Sequence, residues 1–198
     1  MAGVVLNMTE LTELWMDAAA LALALVWDLA LGEPPNAVHP VVGIGKVISW
    51  LERIAPKTNR VAQFVYGSAI ALLLPAALAA GAYFLAEWLK GVWIPLYIVV
   101  VAILLKTCFS VRCLQTSAND VRLSLEKNDS SDTSKNLISL VSRDATKLTP
   151  EQSASAAVES VAENTTDSFV APWLYFAIFG LAGAAAYRVV NTLDAMIG

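Results

Sequence analysis

Four long apolar segments constrain this 198-residue chain more than any other feature of its sequence. A helix needs roughly 20 apolar residues to cross the hydrocarbon core of a lipid bilayer. The four segments cover approximately residues 14–31, 61–86, 90–111 and 168–187. Since no strand-like alternation of polar and apolar residues stands out, we predict an all-α, polytopic integral membrane protein with a single membrane domain over residues 1–198.

The composition excludes most classes of soluble protein. Hydrophobic residues make up 57% of the chain and charged residues 15%, whereas an average soluble domain is about 45–50% apolar and about 25% charged. A net charge of −4 provides no basic surface for a polyanion, so no nucleic-acid partner is expected and the lipid bilayer is the partner that the composition predicts. One histidine and two cysteines without a C-x-x-C pair exclude a zinc site of the Cys/His type.

The distribution of lysine and arginine predicts the orientation of the chain. Four of these residues fall in 32–60 and seven fall in 106–167, whereas none precedes the first apolar segment. The positive-inside rule therefore places the N-terminus outside the cell membrane and both basic stretches in the cytoplasm. Asp28 and Lys106 lie near the ends of their segments, where exposure at the membrane interface is expected to accommodate their charges.

Residues 112–167 form the one long polar stretch and are predicted to be a helical cytoplasmic segment. Apolar residues recur in this stretch at helical spacing. Thr149 and Gln152 are spaced as a capping box around Pro150, which marks the start of a helix.

The fourth apolar segment has two interpretations, because Pro172, Gly180 and Gly183 interrupt it. A straight span would carry Asn191 and Asp194 to the outer face of the membrane. A re-entrant pair of short helices turning near Gly180 would return both residues to the cytoplasmic side. Broken helices occur at membrane depth where protein or water satisfies the freed backbone groups, and hydropathy does not choose between the two arrangements.

An acidic run precedes this segment and is the main candidate for a metal site. Glu159, Glu163 and Asp167 recur at intervals of four, so they stack along one face of a helix. Like charges at this spacing destabilise a helix by about 0.2–0.5 kcal/mol per pair. A bound Mg²⁺ ion would remove that repulsion. The alternative is the solvated acidic face of an amphipathic helix.

Two further pairs of polar residues are candidates for chemistry. Asn191 and Asp194 share a helix face directly after an apolar segment, where polar groups are functional candidates; the alternative is a polar helix end. Arg143 beside Asp144 could bind a phosphate group through two parallel hydrogen bonds; the alternative is a surface ion pair or a helix cap.

His39 is the only histidine and lies in a proline-flanked loop after the first segment. Histidine is the side chain that ordinarily titrates near neutral pH, which makes His39 a candidate for proton transfer. The alternative is a structural hydrogen-bonding role.

In their order along the chain, several motifs resemble the adenosylcobinamide-phosphate synthase family of cobalamin biosynthesis, whose members are integral membrane proteins. The resemblance covers about residues 27–198. The sequence departs from the usual family pattern at Ser142, Ser168 and Ala195. The motifs that carry the resemblance are Trp27-Asp28-Leu29, Gly32-Glu33-Pro34, His39-Pro40-Val41, Arg143-Asp144, Ala157-Val158-Glu159-Ser160-Val161-Ala162-Glu163-Asn164, Asp167, Ala171-Pro172, Tyr187 and Asn191-Thr192-Leu193-Asp194.

The resemblance implies a carbon–nitrogen ligase. Such an enzyme joins aminopropanol, or its O-phosphate, to a propionate side chain of the corrinoid adenosylcobyric acid. ATP is the implied cosubstrate and Mg²⁺ the implied cofactor. The sequence contains no recognised nucleotide-binding motif, so the residues that bind ATP stay unassigned.

The resemblance also implies roles for particular residues. Mg²⁺ or the substrate amine would bind the acidic run, Arg143 would bind a phosphate group, and His39 or Asp144 would transfer a proton. Asn191 and Asp194 would join the site under the re-entrant interpretation. The implied catalytic set is His39, Arg143, Asp144, Asn164, Asn191 and Asp194.

Members of this family usually continue beyond the position that matches Gly198, with a further polar region and more apolar segments. The resemblance therefore implies a C-terminal partner segment for these 198 residues. A different class is a non-catalytic membrane sensor or assembly protein that shares this fold. A transporter is disfavoured, because no inverted repeat is visible and the second segment carries no charge.

Overall fold

The computed structural model describes residues 8–33, 39–57, 59–127, 130–138, 140–141 and 148–197. Eight α-helices account for most of these residues, and no strand is found among them. The helices are α1 (Met8–Leu31), α2 (Pro40–Arg53), α3 (Arg60–Val92), α4 (Ile94–Lys106), α5 (Val111–Glu126), α6 (Ser130–Leu137), α7 (Pro150–Thr165) and α8 (Ala171–Ile197), with a π-helical turn over Thr166–Val170 between α7 and α8.

Four helical stretches are long and apolar enough to cross a membrane, and they overlap the four predicted segments. They are Leu11–Leu31, Arg60–Val92, Ile94–Glu126 and Pro150–Ile197. The prediction of an all-α, polytopic membrane protein is confirmed. The boundary between the second and third segments lies at Trp93, where extended backbone separates α3 from α4.

The chain divides into two compact units. We call residues 1–109 with 172–198 the membrane unit, and residues 110–171 the polar unit. The polar unit includes the whole of the predicted cytoplasmic segment 112–167. The cytoplasmic location of that segment and the position of the N-terminus stay predictions.

Close helix packing forms the core of the membrane unit. Ala20 and Ala24 are completely buried on α1, which packs along α4. Small side chains let two helices approach closely within a membrane protein. Elsewhere in this unit, α2 and α8 share a second apolar cluster, in which Ile48 packs with Val189 and Leu193.

A reversal of the chain at Gly180 divides α8 into two arms. Gly180 has φ 61° and ψ −156°, a conformation that is essentially restricted to glycine. The rings of Tyr175 and Tyr187 stack with centroids 5.1 Å apart, whereas twelve residues of straight helix would span about 18 Å. A side chain at Gly183 would meet the Cβ of Phe179 at 2.7 Å, so the arms require glycine there as well. Of the two arrangements left open by the sequence, the structure has the helical hairpin.

The polar unit has its own small apolar core. Val121 of α5, Leu137 of α6 and Ala156 of α7 are buried together. The capping box is confirmed, since the Thr149 hydroxyl accepts from the backbone N–H of Gln152 at 3.3 Å and the Gln152 side chain accepts from the backbone N–H of Thr149 at 3.0 Å.

Candidate functional site

A cluster of ionisable side chains joins α1 and α4 to Glu33 and His39 in the membrane unit. Lys106 is the last residue of α4, and its Nζ lies 2.9 Å from Oδ1 of Asp28 near the end of α1. The same Nζ lies 2.9 Å from Oε1 of Glu33. The side chains of Lys106 and Asp28 are 2% and 0% exposed. The expectation that exposure at the membrane interface accommodates Asp28 and Lys106 is therefore wrong, because tertiary packing encloses both charges.

Glu33 extends this cluster to His39. The second carboxylate oxygen of Glu33 lies 3.1 Å from Nε2 of His39. The backbone N–H of Val41 donates to Nδ1 of His39 at 3.3 Å, so His39 caps the N-terminus of α2. Because Nδ1 accepts a hydrogen bond, the proton of a neutral His39 ring belongs on Nε2, which then donates to Glu33. The structural hydrogen-bonding role of His39 is thus confirmed. Its proton-transfer role stays a prediction.

The residues Asp28, Glu33, His39 and Lys106 form what we call the charge network. Two carboxylates share one ammonium in it, and one of the two, Glu33, also contacts His39. Buried ion pairs cost desolvation energy and are weak contributors to stability. Ionisable groups inside a membrane protein are by default functional candidates. The interruption of an uncharged apolar run by Lys106 is the sequence signal that points to this cluster.

Asn191 and Asp194 lie on the second arm of α8, at the end away from Gly180. Asn191 is half-buried and Asp194 is exposed. Between them, Leu193 is buried against Ile48 of α2. The sequence predicts that these two residues join the site if the fourth segment turns back on itself, and the hairpin has this arrangement. Their catalytic roles stay predictions.

In the polar unit, Asn164 belongs to a chain of hydrogen bonds. Its side-chain amide donates to the backbone carbonyl of Ser160 at 2.8 Å and to the Ser160 hydroxyl at 3.0 Å. Ser160 is buried, and its hydroxyl donates in turn to the carbonyl of Leu140. Asn164 therefore orients a contact that ties α7 to the segment after α6.

The three carboxylates of the acidic run lie on α7 and the turn that follows it. Glu159 and Glu163 are exposed, and Asp167 is half-buried within the π-helical turn. Across the described ranges, no three His, Cys, Asp or Glu side chains are grouped closely enough to hold a metal ion. Mg²⁺ commonly takes one or two carboxylates and completes its shell with water and substrate phosphates. The donor set fits such a partial site, and the metal role of the acidic run stays a prediction.

Two of the predicted site residues, Arg143 and Asp144, lie outside the described residues. Their phosphate-binding and proton-transfer roles stay predictions.

Comparison with known proteins gives a consistent family assignment. The sequence model of the family described as CobD/Cbib protein matches residues 21–198. The chain is 48% identical over 176 residues to the cobalamin biosynthesis protein CobD of Dehalococcoides mccartyi, covering 89% of this chain and 57% of that protein. It is 43% identical over 182 residues to the probable cobalamin biosynthesis protein CobD of Methanothermobacter thermautotrophicus, covering 92% and 58%.

A third relative extends the match to another archaeon. The probable cobalamin biosynthesis protein CobD of Pyrococcus abyssi is 40% identical over 179 residues, covering 90% of this chain and 58% of that protein. The chain thus spans less than two thirds of the length of these relatives. No solved structure matches it.

Proposed function

This chain belongs to the CobD/Cbib family, and from that premise we propose that it acts in cobalamin biosynthesis as a membrane-bound carbon–nitrogen ligase. The proposed reaction is ATP-dependent ligation of aminopropanol, or its O-phosphate, to the propionate side chain of adenosylcobyric acid. Support for the pathway comes from the names of the relatives, beginning with the D. mccartyi cobalamin biosynthesis protein. Support for the reaction comes from the motifs that resemble adenosylcobinamide-phosphate synthases.

The charge network is the observation that carries the proposal. Asp28, Glu33 and His39 belong to three separate motifs of that resemblance, and direct contacts link all three through Lys106 and Glu33. A cluster of this kind is a costly way to stabilise a fold. Glu33 is partly exposed and its partners hold it at fixed distances, so the pair is well suited to moving a proton, because its orientation is established before the reaction.

The proposed chemistry has two steps. A carboxylate is a poor electrophile, so the propionate oxygen first takes the terminal phosphoryl group of ATP and ADP leaves. The amine nitrogen then attacks the acyl carbon, phosphate leaves with the former carboxylate oxygen, and the nitrogen gives up a proton as the amide forms. We assign that proton to the Glu33–His39 pair, with Lys106 holding the Glu33 carboxylate in place.

The remaining predicted residues have supporting roles in this proposal. Glu159, Glu163 and Asp167 would hold Mg²⁺, which when bound offsets the negative charge of the phosphates. Arg143 would bind a phosphate group, and Asp144 is the second candidate for proton transfer. The proposed catalytic set is completed by Asn164, Asn191 and Asp194.

A product assay tests the proposal directly. The detergent-purified chain is incubated with adenosylcobyric acid, aminopropanol phosphate, ATP and Mg²⁺, and amide product and ADP are quantified together. We expect continued ADP formation beyond a single turnover only when both substrates are present, in a one-to-one ratio with the amide.

A second preparation controls for the shorter length of this chain. In it, the chain replaces the matching region of the D. mccartyi relative, so that the rest of that protein is supplied. Turnover by the chimera alone would mean that residues 1–198 contribute part of a composite site. No amide from either preparation would contradict the ligase and favour the non-catalytic sensor or assembly protein.

A further inference from the structure

We propose that the membrane unit contains a second site, a cavity that binds a small amphiphilic anion through Arg188. The cavity has a volume of about 240 Å³ and lies among α2, α3, the end of α4 and the second arm of α8. Its wall includes Val41, Ile44, Leu78, Leu104, Leu181 and Arg188. The inference does not depend on the proposed ligase activity.

Arg188 is the one charged residue in this wall among the described residues. Its Nε is buried and has no hydrogen-bond partner in the described part of the chain. A buried guanidinium N–H without an acceptor is costly, and charged side chains within membrane proteins face partners or cavities. Lys106 in the same unit provides a contrast, because two carboxylates each lie 2.9 Å from its ammonium.

Those two carboxylates, Asp28 and Glu33, are already engaged by Lys106. The Nε of Arg188 thus has no acceptor among the described residues, and we assign that acceptor to a ligand. Guanidinium groups bind carboxylate or phosphate oxygens through parallel charge-assisted hydrogen bonds. The head group of the ligand is accordingly an anionic oxygen group.

The rest of the wall determines the body of the ligand. The hydroxyl of Thr107 donates to the carbonyl of Leu104 at 2.7 Å, and the thiol of Cys108 donates to the same carbonyl at 3.6 Å. Both polar side chains are thus engaged by the last turn of α4, and most of the remaining wall is aliphatic. A volume of about 240 Å³ is below the roughly 300–1,000 Å³ of pockets for drug-sized ligands. The cavity fits an anionic head group on a short apolar stem, which a soluble phosphate ester or a membrane lipid could supply.

Gly81 of α3 offers a way to close the cavity without changing its charge. It lines the cavity, and a Cβ at this position would have no heavy atom within 4 Å. The substitution Gly81→Leu therefore adds a side chain to open space and keeps Arg188. The substitution Arg188→Gln removes the charge and keeps the cavity.

The experiment measures binding of hexyl phosphate to the full chain in phosphatidylcholine nanodiscs, with hexan-1-ol as the uncharged probe. We expect hexyl phosphate, but not hexan-1-ol, to raise the unfolding temperature of the wild type. Binding should weaken at least about tenfold in Arg188→Gln and in Gly81→Leu, since tenfold corresponds to about one good charge-assisted contact. The control Arg53→Gln, which alters an exposed arginine at the end of α2, should bind as the wild type does.

A second arm distinguishes the two sources of the anion. If the natural ligand is a lipid, nanodiscs containing phosphatidylglycerol raise the unfolding temperature of the wild type by themselves, and hexyl phosphate adds nothing. If it is a soluble ester, hexyl phosphate acts equally in both kinds of nanodisc. The proposal would be overturned if hexyl phosphate and phosphatidylglycerol each raised the unfolding temperature of Gly81→Leu as much as that of the wild type. It would also be overturned if neither anion bound to the wild type. Both outcomes can be measured even if Arg188→Gln fails to fold.

Discussion

The ammonium of Lys106 lies 2.9 Å from the carboxylate of Asp28, and both side chains are almost completely enclosed by protein. Glu33 is a second partner of the Lys106 ammonium, and it links the pair to His39.

Substitution of Lys106 by Met should destabilise the membrane unit. It removes the ammonium that lies 2.9 Å from the buried carboxylate of Asp28, and breaking a buried pair in this way costs about 3–5 kcal/mol. The double variant Lys106→Met/Asp28→Leu should recover most of that loss, because it removes both charges. Unfolding of the detergent-solubilised chain measures these differences. The exposed control Lys57→Met should change stability by about 0.5 kcal/mol or less, and an equally small effect of Lys106→Met would contradict the importance of the pair.

Replacing Gly180 by alanine should destabilise the hairpin of α8. The backbone at Gly180 has φ 61° and ψ −156°, and forcing a residue with a side chain into such a region costs about 1–3 kcal/mol. Gly67 lies within α3 with open space around its Cβ position, so Gly67→Ala should be neutral or stabilising by up to about 1 kcal/mol. Thermal unfolding of the two variants measures the contrast. If Gly180→Ala is as stable as Gly67→Ala, the reversal at Gly180 is wrong.

Cysteine labelling should place the end of α8 on the same side of the membrane as the end of α2. A Cβ at Gly45 of α2 would lie 3.6 Å from the sulfur of Met196, so the two helices meet there. In a Cys113→Ser background, an impermeant thiol reagent should label Met196→Cys and Lys57→Cys from one side of oriented vesicles. Trp93→Cys, between α3 and α4, should be labelled from the other side. Labelling of Met196→Cys together with Trp93→Cys would support a straight fourth span.

Substitution of Glu163 by Gln should raise the Mg²⁺ concentration needed for half-maximal ligase activity. The exposed carboxylate of Glu163 is one of the three proposed metal ligands. This Mg²⁺ concentration should rise at least about tenfold. Loss of a residue that only supports a metal ligand already lowers metal affinity by about 10- to 100-fold. A Mg²⁺ titration of turnover measures it, with Glu126→Gln on α5 as the exposed control. Unchanged turnover and unchanged Mg²⁺ dependence would exclude a metal role for Glu163.

The helices could be predicted from the sequence because the forces that select them act locally. An apolar run of sufficient length specifies a membrane helix by itself. The capping box at Thr149 and Gln152 involves atoms only three residues apart, so its spacing alone predicted the start of α7.

The charge network could not be predicted in the same way. Lys106 and Glu33 are separated by 73 positions, and the packing of α1 along α4 brings the surrounding groups together. A charge near the end of an apolar run is compatible both with exposure at the interface and with burial beside a partner. Only the tertiary arrangement distinguishes these outcomes for Asp28 and Lys106.

The hairpin of α8 could not be predicted from hydropathy either. Hydropathy reports the polarity of a segment and not the direction of its backbone. The position of Gly180 therefore predicts an interruption of the helix but not whether the chain continues straight or turns back. The stacking of Tyr175 on Tyr187 depends on a single glycine conformation.

The measurement that tests the central claim most directly is the kcat of Glu33→Gln beside that of Glu52→Gln, in the preparation that forms amide product. Glu33 contacts both Lys106 and His39, whereas Glu52 is exposed on α2. If the charge network transfers the amine proton, Glu33→Gln should lower kcat by at least about 100-fold, the lower bound typical of a general base, while Glu52→Gln retains the wild-type value. A wild-type kcat for Glu33→Gln would contradict the account.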